Sequence, residues 1–195
     1  MPVLEFQLLK THVPWPRGVT SNFCMKINSA IVIDFEKFLK EGKFDCLKLG
    51  QSKEWVLGNF PNPDGFDKYP NMIHDDIWRY GVIELHFNKN ELFLIFSDYV
   101  DELNGGDSLI LEKHILSNTK EFRLSDIMSK LNNNHIDFQK NTTYFGEAMV
   151  KLELKSQVCL SFRLEELEAE EYEKYIKRSK VVSQNEFRIS SFSLM

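Results

Sequence analysis

From Tyr80 to Phe87 apolar and polar residues alternate, with Ile83, Leu85 and Phe87 on one side and Glu84 and His86 on the other. A period of two predicts a strand with one buried face. Asn88-Lys89-Asn90 predicts a turn, and the more continuously apolar run Glu91 to Tyr99 predicts a central strand covered on both faces. The same design recurs later. Residues 144–154 and 157–163 predict a second hairpin across Lys155-Ser156. Each hairpin follows a polar loop, and each loop follows a short helix, capped by Ser52 in Leu47–Leu57 and by Ser125 in Phe122–Leu131. The chain therefore reads as two helix–loop–hairpin repeats, about 45–106 and 107–178, within one domain spanning 1–195. A unit this small cannot bury its own apolar face, so the two must share a core. The expected fold class is α+β: two repeats contributing to one mostly antiparallel sheet, with helices packed on one face.

Outside the repeats the patterning is weaker. Residues 3–9 suggest an edge strand, Val13 to Gly18 a Pro-bounded loop, and Phe23 to Ile33 strand. Asp34 is placed to cap a helix that turns Phe35, Phe38 and Leu39 inward and stops at Gly42. Residues 61–75, rich in Pro, Asp and Asn, predict a long loop. Leu109 to Leu116 suggests a further strand. Leu164 to Arg178 predicts an amphipathic helix with a glutamate-rich outer face, and 179–195 reads as a Ser-rich tail with one apolar alternation, Phe187-Ile189.

Composition narrows the function. Sixteen phenylalanines predict a core built on phenyl rings. A net charge of −5 argues against nucleic acid, whose phosphates require Lys and Arg, and favours a basic protein partner. Cys24, Cys46 and Cys159 are widely spaced and read as reduced thiols. No apolar run is long enough to span a bilayer, and the N-terminal residues lack a basic and then apolar leader pattern. The expected location is the cytoplasm, with no membrane partner.

No catalytic signature is present: GxSxG, Walker A, GxGxxG after a strand and HExxH are all missing. His74-Asp75-Asp76 lacks companion ligands at metal-binding spacing, and Asp98, Asp101 and Glu102 do not follow the EF-hand pattern. The expectation is accordingly no catalytic residue, no cofactor and no metal. What remains is a set of candidate partner-binding residues. Tyr69, Trp78 and Tyr80 are of the types enriched at interface hot spots. Asp75, Asp76, Glu84, His86, Asp98, Asp101 and Glu102 supply an acidic, polar surface beside them. The glutamates of 165–173 rank lower, because such a helix face is ordinarily solvated.

The stretch Leu49-Gly50-Gln51-Ser52-Lys53-Glu54-Trp55-Val56-Leu57, with Pro61 and then Asp76 to Phe87, resembles a pattern of small bacterial proteins. There a helix follows Leu-Gly-x-Ser, and a strand carries Tyr-Gly-x-Ile-Glu-x-x-Phe. The helix–loop–hairpin unit is similar to the tandem units of beta-lactamase-inhibitor-like proteins and of the outer-membrane assembly lipoprotein domain. The resemblance, covering roughly 45–165, implies a binder and not an enzyme, and it supplies no catalytic residues. An export signal, a lipobox Cys and paired disulfide cysteines are not found here. The expectation is a cytoplasmic immunity protein that blocks a cognate toxin, such as a basic nuclease, by covering its active site. The alternative is a small-molecule-binding or enzymatic domain using a pocket beside the 61–75 loop.

Overall fold

The computed structural model describes residues 30–68, 75–117, 123–145, 147–164 and 187–195. The fold is α+β and dominated by sheet. Eight strands form one antiparallel sheet in the order β2-β3-β4-β5-β10-β9-β8-β7. These are β2 (Gly65–Lys68), β3 (Asp75–Tyr80), β4 (Ile83–Asn88), β5 (Glu91–Ser97), β7 (Phe138–Phe145), β8 (Glu147–Leu154), β9 (Val158–Leu164) and β10 (Phe187–Leu194). A separate two-stranded parallel ribbon joins β1 (Ile31–Asp34) to β6 (Leu109–Glu112). Three helices are described: α1 (Phe35–Glu41), α2 (Lys53–Asn59) and α3 (Leu124–Asn133).

Local chemistry sets the helix ends. The Asp34 carboxylate accepts from the Lys37 N–H at 3.0 Å and starts α1, and Gly42, in the left-handed region at φ 67°, ends it. Ser52 Oγ accepts from the Trp55 N–H and starts α2. At α3 the expected cap moves: Arg123 is the capping position, its N–H held by the Asp126 carboxylate at 3.0 Å, and Ser125 lies within the first turn. Asn134 ends α3, as the asparagine run predicts.

One face of the sheet and all three helices enclose a continuous core. Ile83, Leu85 and Phe87 from β4, Val158, Leu160 and Phe162 from β9, and Phe192 and Leu194 from β10 meet Phe38, Val56 and Ile127 from the helices. Phe35, Phe38 and Phe192 pack edge to face at centroid separations of 5.5–5.6 Å. The turn between β8 and β9 locks onto α1: Ser156 Oγ donates to the Leu39 carbonyl at 2.7 Å, and a Cβ at Gly42 would lie 2.4 Å from the Ser156 carbonyl oxygen.

Several expectations are corrected. The supposed tail is β10, at the centre of the sheet between β5 and β9. Its alternation escapes notice because a bulge between Ile189 and Ser191 shifts the phase of the buried side chains. The loop 61–75 contains strand β2, and the polar stretch before the second hairpin contains the edge strand β7. The strand expected over Leu109–Leu116 stops at Glu112, gives way to a 3-10 turn at His114–Leu116, and pairs with β1 outside the main sheet. The glutamate-rich helix expected over Leu164–Arg178 lies, apart from Leu164, outside the described residues, as do the strand at 3–9 and Cys24. Among the described residues no helix is long and apolar enough to cross a membrane.

Candidate functional site

The sheet face opposite the core is where exposed chemistry collects. Alternation puts Glu84 and His86 of β4 there, and pairing sets Phe96 beside Glu84 and Leu94 beside His86 on β5. Glu84 bridges Arg79 and His86. Its Oε1 lies 3.3 Å from Arg79 Nη2, and its Oε2 lies 2.8 Å from His86 Nε2. The His86 ring sits edge-on to Phe93 at 6.2 Å and to Phe96 at 6.0 Å. The carboxylate and imidazole keep only 18% of their side-chain surface exposed, so this polar relay is fixed against an aromatic wall.

Beyond β5 the face becomes a groove of about 690 Å³, running across β10 to β9 and β8. Asp98, Tyr99 and Asp101 line it at the end of β5, and Met149, Lys151, Ser161 and Arg163 line it from β8 and β9. Leu94, Phe96 and serines of β10 complete it. Phe93 and Tyr99 are exposed at 42% and 58%. The arrangement offers apolar contact in the middle, acidic groups at one end and basic groups on the far side.

The sequence candidates divide. Glu84, His86, Asp98 and Asp101 fall on this face or in its groove. Glu102 is exposed on the 3-10 turn Val100–Glu102, just outside the groove. Asp75 and Asp76 form the first two residues of β3, paired in register with Asn88 and Phe87. Tyr69 and His74 lie outside the described residues. Trp78 and Tyr80 are corrected: they belong to the core, at 4% and 0% exposed. The Trp78 ring stacks at a tilt on Phe87 with centroids 4.4 Å apart. The Tyr80 hydroxyl donates to the Pro61 carbonyl at 2.8 Å, and burial, with the Asp64 charge nearby, holds its pKa well above the usual tyrosine range. Both point to the face opposite Glu84 by strand alternation, which could have been read from the sequence. The groove residues Leu94, Phe96 and Tyr99, and Phe93 beside His86, were missed because an unbroken apolar run reads as a strand covered on both sides.

Cys159 is a free thiol. Burial raises the Cys159 pKa, against a lowering by Lys151, and so disfavours the thiolate that nucleophilic chemistry needs. A second polar cluster, Asp34, Glu112 and His114, lies at the end of the parallel ribbon, with donor atoms within 4.8 Å of one another.

Compared with protein-family models, curated proteins and solved structures, the chain matches none.

Proposed function

We propose that this chain is a protein-binding module, most concretely a cytoplasmic immunity protein that neutralises a cognate bacterial toxin by covering its active site. The observation that carries the reading is the open sheet face. An aromatic and aliphatic strip (Phe93, Leu94, Phe96, Tyr99) runs beside the ordered Arg79–Glu84–His86 relay and an acidic end at Asp98 and Asp101. Aromatic anchors surrounded by charge suit tight protein recognition. The overall charge of −5 suits a basic partner such as a nuclease.

The reading includes two structural repeats. One is α2 followed by the meander β2-β3-β4-β5. The other is α3 followed by β7-β8-β9-β10. What supports the pairing is that Ser52, capping α2, bridges Glu91 on β5, while Arg123, capping α3, bridges Arg188 on β10. In this alignment β10 and not β9 is the counterpart of β5, and the two central strands meet antiparallel.

A specific observation favours a second reading, catalysis or small-ligand binding: Glu84 orients the His86 imidazole as a general base would be oriented. Co-expression with the product of the adjacent gene discriminates. Co-purification with a toxic neighbour and restored growth support immunity. A non-toxic neighbour, or a toxic one neither bound nor neutralised, overturns it.

A further inference from the structure

The parallel ribbon places two carboxylates side by side. Asp34 and Glu112 are register partners at the ends of β1 and β6. Like charges in register repel, and a cation placed between them relieves that repulsion. His114 is turned into that place. Its backbone takes φ 42°, a left-handed conformation in which His, like Asn and Asp, is enriched among residues other than Gly. Its Nε2 lies 3.4 Å from Asp34 Oδ1 and 3.7 Å from Glu112 Oε2.

We propose that Asp34, Glu112 and His114 form a site for a divalent transition-metal ion, Zn²⁺ foremost. A tetrahedral zinc with ligand bonds of about 2.0–2.2 Å holds its donor atoms roughly 3.3–3.6 Å apart. The two imidazole–carboxylate separations, 3.4 and 3.7 Å, already fall near that range, and all three donor atoms lie within 4.8 Å of one another. The Asp34 carboxylate is aimed before any ion arrives, because capping α1 fixes it through the Lys37 N–H. One imidazole with two carboxylates favours Zn²⁺ over Mn²⁺ and disfavours Ca²⁺ and Mg²⁺, which take all-oxygen shells. All three side chains are solvent-exposed, so an ion reaches them freely and keeps a coordination position for water or for a donor from another molecule. Bound there, it ties the start of α1 to the turn after β6 and stabilises the ribbon by mass action. The site is independent of the open sheet face and of the function proposed for it.

The test is calorimetric titration of the full chain with Zn²⁺, paired with thermal unfolding with and without the ion. Three substitutions remove a ligand while sparing the backbone. Asp34→Asn retains a capping side chain. His114→Asn suits the left-handed conformation. Glu112→Gln acts at an exposed strand end. The expected result is one Zn²⁺ per chain and a raised midpoint of unfolding. Each substitution weakens binding by about tenfold or more while leaving the circular dichroism spectrum unchanged. Cys46→Ser has no effect. Absence of stoichiometric binding overturns the proposal. So does binding that survives both Asp34→Asn and His114→Asn, or that Cys46→Ser abolishes: either result means an adventitious ion only.

Discussion

Arg123 forms an antiparallel bridge to Arg188, so the residue that starts α3 is fastened to the beginning of the central strand β10. Ser52 makes the corresponding bridge to Glu91. Around it the Gly50 N–H donates to the Leu92 carbonyl, and the Leu92 N–H to the Gln51 carbonyl. Each helix entrance thus occupies the stretch of its central strand that lies before the β5–β10 pairing begins. That pairing centres on Ser193 and Phe96. Both bridged residues, Glu91 and Arg188, lie five positions upstream of those partners.

This geometry makes the last nine residues indispensable. Phe192 is fully buried against Phe35 and Phe38 and joins the two halves of the sheet. Phe192→Ala should destabilise by about 3–5 kcal/mol in urea unfolding, as a large cavity in a phenyl cluster does. A loss below about 1 kcal/mol would mean that β10 is the loosely attached tail its serine content suggests.

Why the sequence concealed β10 is physical. Ser190 occupies the bulge, and Ser191 and Ser193 are half-exposed, so the strand reads as polar although Phe187, Ile189, Phe192 and Leu194 are buried. Edge strand β7 was concealed for a related reason. Gln139 to Thr142 are exposed, and such a strand carries little apolar signal. Where one face is buried and the phase unbroken, as in Ile83-Leu85-Phe87, strand and face were legible. So were the caps at Asp34 and Ser52, whose side chains act within one turn. Of the candidate site, only Glu84, His86, Asp98 and Asp101 were legible. The groove is made by strand order, which brings β5 to β10 and β9, and no local pattern encodes that order.

Gly81 should resist substitution. Its φ is 59°, and a Cβ there would lie 2.2 Å from the Asn104 side-chain oxygen and 2.4 Å from the Gly106 nitrogen. Its N–H donates to Asp64 at 2.6 Å, which pins the loop after α2 to the β3–β4 turn. Gly81→Ala should cost about 2–4 kcal/mol, combining left-handed strain with steric overlap. Chemical denaturation measures it, and a near-neutral result would show that the 104–106 loop yields easily.

Tyr80 predicts a decline in stability at alkaline pH. Its folded pKa is raised by burial, so the folded chain keeps the phenol proton after the unfolded chain releases it. The contribution is complete below the unfolded pKa of about 10 and is lost as pH rises from there towards the folded value. The slope for one such proton is about 1.4 kcal/mol per pH unit. Tyr80→Phe should remove that part of the decline. It should also cost about 1–3 kcal/mol at neutral pH, because the Pro61 carbonyl loses its donor. Parallel slopes for both proteins between pH 10 and 11 would contradict the buried, un-ionised phenol.

The proposed interface separates from the core by exposure. Trp78→Ala should act on stability, costing about 3–5 kcal/mol, because the ring is buried against Phe87. Phe93→Ala and Tyr99→Ala should change stability by less than about 1 kcal/mol, because both side chains are exposed. If the open face binds the partner, those two substitutions should speed dissociation, since aromatic anchors act on complex lifetime. Asp98→Lys with Asp101→Lys should instead slow association with a basic partner and flatten its dependence on salt, because charges at the edge of an interface steer encounter. Glu84→Gln should affect both rates, because it removes the charge that Arg79 and His86 share. Kinetic measurements on the purified complex at two ionic strengths distinguish these effects. Unchanged rates for Phe93→Ala, Tyr99→Ala and the Asp98/Asp101 double variant, in a chain that still binds, would move the interface away from this face.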